Sequence, residues 1–295
     1  MIEVIVPATS ANLGPGFDCM GLALNLYNKF TFQELESGII VEGTEKSFED
    51  EDNLIYIAMK KCFEKIGYEP SGIKITSETD VPVSRGLGSS ATCIVAGIIG
   101  ANEMTGRKLS RQEILELATE LEGHPDNIAP ALLGGCVTSV YEDGKVYSSK
   151  VRVKHGLKFY ALIPNFKLST QKARGILPKV VSFEDAVYNV GRVALMTSAL
   201  ANGEFEMLRV AGKDRLHQQY RGGLIDGYDS IIEESENAGA YGAFLSGAGP
   251  TILIAVDVND RSVYTKLRSH VNNLKYYWDI KELHLDKRGA IVKTY

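Results

Sequence analysis

The most informative segment of the chain reads Pro82-Val83-Ser84-Arg85-Gly86-Leu87-Gly88-Ser89-Ser90-Ala91-Thr92. Gly86 and Gly88 let the backbone approach a ligand closely, because neither residue carries a Cβ atom. Ser89 and Ser90 are predicted to cap a helix that begins here, with their hydroxyls facing the same ligand. A helix N-terminus behind a glycine turn offers unpaired N–H groups to an anion, and the expected ligand is a phosphate group.

Two other kinds of glycine loop compete with this interpretation. A Walker A loop requires a lysine where Ser89 follows Gly88, so that type is excluded. The spacing Gly86-x-Gly88-x-x-Ala91 matches a dinucleotide fingerprint, but Pro82 separates it from the preceding strand pattern. An acidic residue at a strand end about 20 residues further on is also missing. An ordinary loop with glycine-rich capping remains the simplest alternative, and the full segment disfavours it.

The pattern around this segment favours an α+β fold, because helices and strands are mixed and strands often follow one another directly. Helices are predicted over 53–66, 89–104, 110–122, 182–201, 222–238 and 260–272. Strands are predicted over 2–7, 22–32, 73–77, 135–141, 146–153, 157–163, 242–245, 251–256 and 278–283. Ser110, three residues before Glu113, predicts a capping box. We place a boundary between two domains, 1–155 and 156–295.

The composition is that of an ordinary globular protein. The chain has 295 residues, of which 44% are hydrophobic and 23% charged. At about 150 residues per domain, this length predicts two domains. The net charge of −5 argues against a nucleic-acid partner, although it leaves room for a local basic pocket. The 29 glycines are a mild excess over the usual share of about 7%.

No targeting or membrane segment is predicted. The first four residues lack a basic region, and the most apolar window, 91–101, is shorter than the roughly 20 residues that cross a bilayer. The cysteines are scattered without a Cys-x-x-Cys pair, which predicts free thiols rather than disulfides or a zinc site. They are Cys19, Cys62, Cys93 and Cys136. We therefore expect a cytoplasmic protein without a membrane partner.

Two further glycine motifs flank the central one. They are Pro7-Ala8-Thr9-Ser10-Ala11-Asn12-Leu13-Gly14-Pro15-Gly16-Phe17-Asp18 and Ser246-Gly247-Ala248-Gly249-Pro250-Thr251. The three motifs in this order resemble the galactokinase, homoserine kinase, mevalonate kinase and phosphomevalonate kinase (GHMP) superfamily over essentially the whole chain. The first motif and Gly123-His124-Pro125-Asp126-Asn127 are similar to its homoserine kinase branch in particular. This resemblance implies a two-lobed α+β fold. The N-terminal lobe would resemble ribosomal protein S5 domain 2, and the C-terminal lobe would be a ferredoxin-like α/β sandwich.

The resemblance also implies ATP and Mg²⁺ as cofactors. The residues expected to bind ATP are Pro82, Val83, Ser84, Arg85, Gly86, Leu87, Gly88, Ser89, Ser90, Ala91 and Thr92. Glu122, with Ser90, is the first choice for the metal ligand, and Glu116 and Glu120 stay open as alternatives. One carboxylate is normal for Mg²⁺, because phosphate oxygens and waters complete its shell.

The catalytic group implied by the resemblance is Glu122, His124 and Asn127. Relatives similar to mevalonate kinase place an aspartate, usable as a general base, where this chain has Asn127. An amide cannot accept a proton, so phosphoryl transfer by positioning and charge stabilisation is expected. The transition state of this reaction is loose, so a protein base would contribute little to the rate. Asp126 remains an alternative base if its side chain points inward.

The implied substrate is L-homoserine, with O-phospho-L-homoserine as the product in threonine biosynthesis. Its expected contacts are Asn12, Asp18, Asn127, Thr170, Arg174, Arg221, Gly247 and Gly249. Asp18 suits an ammonium group, and the planar forks of Arg174 and Arg221 suit a carboxylate. Without the resemblance, Asn12 and Asp18 are explained equally well as ordinary turn residues, and the loop at 246–250 as a hairpin turn. His217 is expected to be structural.

Other functions stay open at this point. A mevalonate-pathway or sugar kinase of the same superfamily would not need an ammonium partner together with two arginines. A non-catalytic nucleotide-binding module would keep the glycine loops without turnover. An RNA-binding protein sharing the fold of the first lobe would need a basic face, which the net charge disfavours. The sequence is compatible with a homodimer.

Overall fold

Two β-sheets with helices packed on them form the framework of the protein, a computed structural model that describes residues 1–43 and 52–295. The strands are β1 (Ile2–Ala11), β2 (Met20–Glu34), β3 (Gly38–Glu42), β4 (Gly72–Thr79), β5 (Cys136–Glu142), β6 (Lys145–Val151), β7 (Leu157–Pro164), β8 (Gly242–Leu245), β9 (Ile252–Asp257), β10 (Trp278–Leu283) and β11 (Ile291–Thr294). The helices are α1 (Leu54–Ile66), α2 (Ser89–Met104), α3 (Arg111–Glu122), α4 (Pro125–Leu133), α5 (Thr170–Gly175), α6 (Phe183–Asn202), α7 (Leu208–Ala211), α8 (Gln218–Gly222), α9 (Tyr228–Ala238) and α10 (Ser262–Val271).

The first sheet has seven strands within the described ranges. Five run in the order β11-β1-β2-β4-β3, and the β5–β6 hairpin joins through β5 to β2. The strands pair antiparallel except for β3 with β4. β1 and β2 pair from Ile2 opposite Phe32 to Ala11 opposite Gly21. The loop between them therefore presents the end of the first glycine motif beyond one end of the sheet.

Helix α2 is buried on nearly all sides, which explains its continuous apolar sequence. It packs against β1 and against α1, α3 and α4. A Cβ atom on Gly97 would overlap the carbonyl oxygen of Ile55, and one on Gly100 would lie 2.7 Å from the ring of Phe32. These two glycines let α1 and the sheet approach α2 closely. The start of α2, which carries the central glycine motif, is thereby held in place.

The second sheet is antiparallel, in the order β10-β7-β9-β8. One face, with Tyr160 and Leu162, packs with α9 and α10. The other face, with Phe159 and Leu253, shares an apolar core with α6, α7 and residues of β2 such as Leu22. Because both faces are covered, β7 and β9 read as continuous apolar runs. The shared core joins the second sheet to the first.

Most predicted elements are present, with bounds shifted by a few residues. Asn53 caps α1 by accepting a hydrogen bond from the N–H of Ile55 at 2.9 Å, and Gly67 ends the helix with φ 72°. Ser110 and Glu113 form both hydrogen bonds of the predicted capping box of α3. These local end signals explain why the helix boundaries could be predicted.

Two local predictions are wrong. Ser89 and Ser90 do not cap α2: Gly88 is its N-cap, with φ 68°, and the Ser90 hydroxyl donates to Glu122 instead. The helix predicted over 222–238 starts later, because α9 begins only after Gly227, while the separate helix α8 already ends at Gly222. Gly227 has φ 86°, which lies outside the helical region and separates the two helices.

Six elements were not predicted, namely β3, α4, α5, α7, α8 and β11. Pro130 lies inside α4, where proline normally disfavours a helix, although Pro125 in the first turn favours one. The carbonyl oxygen of Asp126 packs against Gly21 of β2, where any Cβ atom would overlap it. β3 and β11 are short strands that pair with β4 and β1, which are distant in sequence. Local sequence patterns carry no signal for such pairings.

The last strand, β11, pairs with β1 and so belongs to the first sheet. The chain therefore enters the second sheet at β7 and returns to the first sheet at its end. The division into 1–155 and 156–295 stays a prediction. Within the described residues, no helix is long and apolar enough to cross a membrane.

Ser110→Ala should lower the free energy of unfolding by about 1 kcal/mol, the usual effect of losing an N-cap side chain. The hydroxyl of Ser110 accepts from the N–H of Glu113 at 3.3 Å, and alanine cannot replace this bond. Urea unfolding of both proteins measures the difference. Ser148→Ala, at an exposed position of β6, is the matched control. Equal losses in the two variants would contradict the capping role.

Candidate active site

A cavity of about 590 Å³ lies where the three glycine motifs meet. The predicted site residues that line it are Asn12, Val83, Ser84, Arg85, Gly86, Gly88, Ser89, Ser90, Glu122, His124, Asn127, Thr170, Arg174, Arg221 and Gly247. Asp18 reaches the cavity through its ion pair with Arg174. The structure thus brings residues from all three motifs, from α3 to α5 and from α8 into one place.

Five predicted residues lie behind the cavity wall instead. They are Pro82, Leu87, Ala91, Thr92 and Gly249. Leu87 and Ala91 are part of apolar cores. The hydroxyl of Thr92 accepts from the Asn28 amide and donates to the carbonyl of Ser89, both inside the protein. These residues support the shape of the loop, and their direct contact with a nucleotide stays a prediction.

Hydrogen bonds connect the three glycine motifs to one another. The Ser246 hydroxyl lies 2.6 Å from the carbonyl oxygen of Gly86 and 2.9 Å from the hydroxyl of Ser10. The N–H of Gly247 donates to the carbonyl of Ala11 at 3.1 Å. A Cβ atom on Gly86 would overlap the carbonyl oxygen of Ser246. The motifs therefore form one joined wall, and glycine is required where they touch.

The start of α2 is available to an anion. Its N-cap Gly88 supplies no side-chain hydrogen bond, so the N–H groups of the first turn are not capped by that residue. The positive end of the helix dipole lies at the same point. A Cβ atom on Gly88 would overlap the hydroxyl of Thr9. Because its φ is also 68°, this position requires glycine.

The guanidinium of Arg85 donates hydrogen bonds to backbone carbonyl groups of the protein. Its Nε donates to the carbonyl of Pro164 at 2.8 Å, and Nη2 donates to the carbonyl of Asn165 at 3.1 Å. Nη1 donates to the carbonyl of Val83 at 3.2 Å. Burial lowers the pKa of the guanidinium from its ordinary value. Arg85 therefore ties the central loop to the end of β7.

Glu122 and Ser90 place two oxygen donors together at the cavity wall. The Ser90 hydroxyl donates to Glu122 Oε1 at 2.8 Å. Burial raises the pKa of Glu122, because the charged carboxylate is partly removed from water. Glu116 and Glu120 are not among the residues that line the cavity. The choice of Glu122 as a metal ligand stays a prediction, and this placement supports it.

His124, Asp126 and Asn127 lie at the cavity wall where α4 begins. The Asp126 carboxylate is 2% exposed and points inward, with Oδ1 2.7 Å from His124 Nδ1. Burial alone lowers the pKa of His124, but the hydrogen bond and charge of Asp126 outweigh it and raise that pKa. Asn127 Oδ1 accepts from the hydroxyl of Thr9 at 2.8 Å. That bond uses one of the two lone pairs of the oxygen, and the amide N–H groups of Asn127 are free to donate to a ligand.

Asp18 and Arg174 form an ion pair with two hydrogen bonds. Arg174 Nη2 lies 2.6 Å from Asp18 Oδ1, and Nη1 lies 3.0 Å from Oδ2. The bonded carboxylate raises the pKa of Arg174. Asn12 fixes the turn, since its Oδ1 accepts from the N–H of Asp18 at 3.0 Å and its amide donates to Gly247 at 3.0 Å. The two residues expected to hold opposite ends of a substrate are thus adjacent.

Arg221 is buried beside this pair. Its Nε donates to the carbonyl of Ala173 at 3.0 Å, and Nη1 donates to the carbonyl of Gly247 at 3.2 Å. Burial, followed by the charge of Arg174, lowers the pKa of Arg221 to about 10. His217 is buried too, with Nε2 2.7 Å from the carbonyl oxygen of Gly14, in agreement with a structural role. A buried guanidinium aimed at a cavity is a strong attractor for an anion.

Sequence reasoning missed one arm of the cavity. Its residues are Phe30, Gly43, Asn53, Leu54, Ile55, Ser77, Thr79 and Cys93. The Ser77 hydroxyl is buried and has no hydrogen-bond partner among the described residues. Asn53 was recognised only as a helix cap. Strands β2 and β4 meet α1 here through tertiary packing, and no local motif marks that meeting.

Comparison with known proteins identifies the family. The model for the GHMP kinases N terminal domain matches residues 53–135, and that for the GHMP kinases C terminal matches residues 196–273. A homoserine kinase from Clostridium botulinum (strain 657 / Type Ba4) is 54% identical over 294 residues, covering 100% of this chain and 99% of that protein.

Solved structures agree. The crystal structure of homoserine kinase from Cytophaga hutchinsonii has a TM-score of 0.89 at 27% identity, covering 99% of this chain and 97% of that one. An L. major mevalonate kinase, with a TM-score of 0.72 at 16% identity over 96% and 95% of the two chains, shares the fold. The two-lobed fold expected from the three motifs is thereby confirmed. The chain belongs to the GHMP kinases, and among them to the homoserine kinase family.

Proposed function

We propose that this chain transfers the γ-phosphoryl group of ATP to the side-chain hydroxyl of L-homoserine, forming O-phospho-L-homoserine and ADP. The reaction serves threonine biosynthesis, and we expect it in the cytoplasm. The observation that carries the proposal is one cavity with a glycine loop at a helix N-terminus and with Asp18, Arg174 and Arg221 together. The glycine loop at the helix N-terminus suits a nucleoside triphosphate. The three charged side chains suit a small zwitterion.

The nucleotide fits the wall formed by the central motif. Its phosphates would lie along Gly86 to Ser90, where the uncapped N–H groups and the dipole of α2 attract negative charge. The missed arm, with Phe30 and Leu54, supplies apolar contacts for a base. The buried and unpartnered Ser77 hydroxyl offers a hydrogen bond to that base or to its ribose.

Glu122 and Ser90 fit a magnesium ion by their chemistry. Mg²⁺ prefers oxygen ligands, and these two oxygens lie 2.8 Å apart beside the phosphate loop. Burial raises the pKa of Glu122, so a cation at this point would offset the unfavourable desolvation of its carboxylate. When bound, Mg²⁺ would neutralise charge on the phosphate oxygens.

The ion pair of Asp18 and Arg174 explains a preference for an amino acid. A zwitterion offers its ammonium group to Asp18 and its carboxylate to Arg174 and Arg221, and so replaces one ion pair by two. A hydroxy acid brings only the carboxylate, which leaves Asp18 without a cation in a partly desolvated site. A neutral sugar offers neither charge. Selectivity for homoserine over mevalonate or galactose follows from this difference.

The acceptor hydroxyl would lie near Asn127. An amide is not a base, so Asn127 can hold the substrate or a phosphate oxygen through its N–H groups but cannot take the proton. Positioning and charge stabilisation then supply the catalysis. Asp126, which points inward and is bonded to His124, is the alternative base.

The test of the function measures ADP release with homoserine, mevalonate, galactose and threonine as acceptors. We expect turnover with homoserine at a kcat/KM at least about 100-fold above that for any other acceptor, in line with a site whose charges are left unpaired by the wrong ligand. Preferred turnover of mevalonate or galactose would assign the chain to another kinase of the family. Nucleotide binding without turnover of any acceptor would favour a binding module.

Arg174→Ala should raise the KM for homoserine on the order of 10- to 100-fold, the usual effect of losing hydrogen bonds to a charged group. The KM for ATP should change little, because Arg174 is not among the residues proposed to bind ATP. Lys172→Ala, on the exposed side of the same short helix, is the matched control. An unchanged homoserine KM in Arg174→Ala would contradict the assignment.

Asp126→Ala and Asn127→Ala separate the two catalytic schemes when kcat is measured for each. Without a protein base, we expect Asn127→Ala to lower kcat at least as much as Asp126→Ala, since the amide positions the hydroxyl. A loss of activity confined to Asp126→Ala would overturn this expectation and assign the base to the Asp126–His124 pair. Circular dichroism of both variants checks that α4 still forms.

A further inference from the structure

Thr9 lies behind the wall of the cavity, between the central glycine motif and helix α4. It is fully buried and does not line the cavity. Its hydroxyl donates to Asn127 Oδ1 at 2.8 Å, and its backbone N–H donates to the carbonyl of Leu87 at 3.1 Å. Among the described residues, this hydroxyl has no other hydrogen-bond partner. Thr9 therefore contacts two parts of the site without reaching a ligand.

The hydroxyl of Thr9 occupies a closely fixed position. Thr9 belongs to β1 and lies opposite Ala23 of β2, so the sheet holds its backbone. A β-branched side chain has few rotamers. A Cβ atom on Gly88 would overlap the Thr9 hydroxyl, so that hydroxyl fills the space left by the missing side chain of Gly88. Both the strand and the central motif therefore restrict where the hydroxyl can lie.

The backbone of Asn127 is also held in place, whereas its side chain depends on a hydrogen bond. The carbonyl oxygen of the preceding residue, Asp126, packs against Gly21 of β2. His124, the N-cap of α4, makes no side-chain hydrogen bond to the first turn of that helix. The free N–H groups of a helix start attract the oxygen of a nearby asparagine side chain. Without another donor, Asn127 Oδ1 would therefore turn toward its own helix.

The two ends of an amide differ chemically, so its orientation matters. The oxygen only accepts hydrogen bonds, and the NH2 group only donates them. A carboxylate at this position would have two equivalent oxygens and would need no such orientation. The Thr9 hydroxyl donates and so selects the oxygen of Asn127. The NH2 group, which has no partner within the described ranges, is left for a ligand in the cavity.

We propose that Thr9 is a positioning residue for phosphoryl transfer. Through its hydrogen bond, it directs the NH2 group of Asn127 toward the acceptor hydroxyl and the transferred phosphoryl group. This role rests on the proposed transfer to homoserine. The N–H of Thr9 also holds Leu87, next to the start of α2, so one residue acts on both the acceptor side and the phosphate side. A misplacement of about 1 Å can lower a rate about 100-fold.

Serine and alanine at position 9 form a matched pair, because both lack the methyl group of threonine and only serine keeps the hydroxyl. We expect Thr9→Ser to keep a kcat within about 3-fold of the wild type and Thr9→Ala to lose about 10- to 100-fold, the cost of a misplaced group. The KM for ATP should stay unchanged in both. Equal kcat values in the two variants would overturn the proposal. A raised KM for ATP with an unchanged kcat would overturn it too, and would assign Thr9 to the support of Leu87. Urea unfolding checks that both variants fold.

A double-mutant cycle measures whether Thr9 acts through Asn127. In the Asn127→Ala background, Thr9→Ala should lower kcat by less than about 2-fold, because the group that Thr9 positions is already missing. The full loss in that background would contradict the proposal. Each ratio is measured with the acceptor that the wild type uses fastest. A wild type that prefers another acceptor therefore contradicts the proposed function, while the cycle still tests the role of Thr9.

Crystal structures of the two variants test the positioning without any turnover. The Asn127 side chain should keep its place in Thr9→Ser and should turn toward the first turn of α4 in Thr9→Ala. The 2.7 Å contact between His124 Nδ1 and Asp126 Oδ1 is the internal control, and it should be present in both. An Asn127 side chain that does not move in Thr9→Ala would refute the proposal, even if activity falls.

Discussion

The Ser246 hydroxyl is the contact on which the site depends. It is buried between the carbonyl of Gly86 and the hydroxyl of Ser10, and so touches a residue of each of the other two glycine motifs. The central motif comes from the first sheet and Ser246 from the second, so this contact also joins the two lobes. Because Gly86 would overlap Ser246 with any larger side chain, the joint requires glycine. The same contact therefore helps to position both the proposed phosphate loop and the proposed substrate anchors.

Electrostatics sets the second constraint. The chain is acidic overall, with a net charge of −5, yet two guanidinium groups lie together at one end of the cavity. Burial lowers the pKa of Arg221, and the charge of the neighbouring Arg174 lowers it further. Asp18 compensates by pairing with Arg174. An anionic ligand reduces the repulsion between the two guanidinium groups. Part of the binding free energy of such a ligand therefore comes from the repulsion that it removes.

Features with local chemistry could be predicted from the sequence. The caps of α1 and α3 follow from Asn53 and from the pair of Ser110 and Glu113, and the three glycine loops follow from their spacing. Features made by distant pairing could not. The missed arm of the cavity arises where β2 and β4 meet α1, and the ion pair joins Asp18 to a residue 156 positions away. The capping role assigned to Ser89 and Ser90 failed because Gly88 is the N-cap, which places both serines inside the first turn of α2.

The apolar core shared by the two sheets holds one lobe in place against the other. Leu22 of β2 and Phe159 of β7 belong to one buried cluster, so sliding one lobe past the other would break close packing. The phosphate loop stands on one lobe and Arg221 on the other. Packing of the two lobes therefore acts together with the Ser246 contact in fixing their separation, which in the proposed reaction sets how far the acceptor hydroxyl lies from the γ-phosphate. The proposed transfer without a protein base depends strongly on that distance.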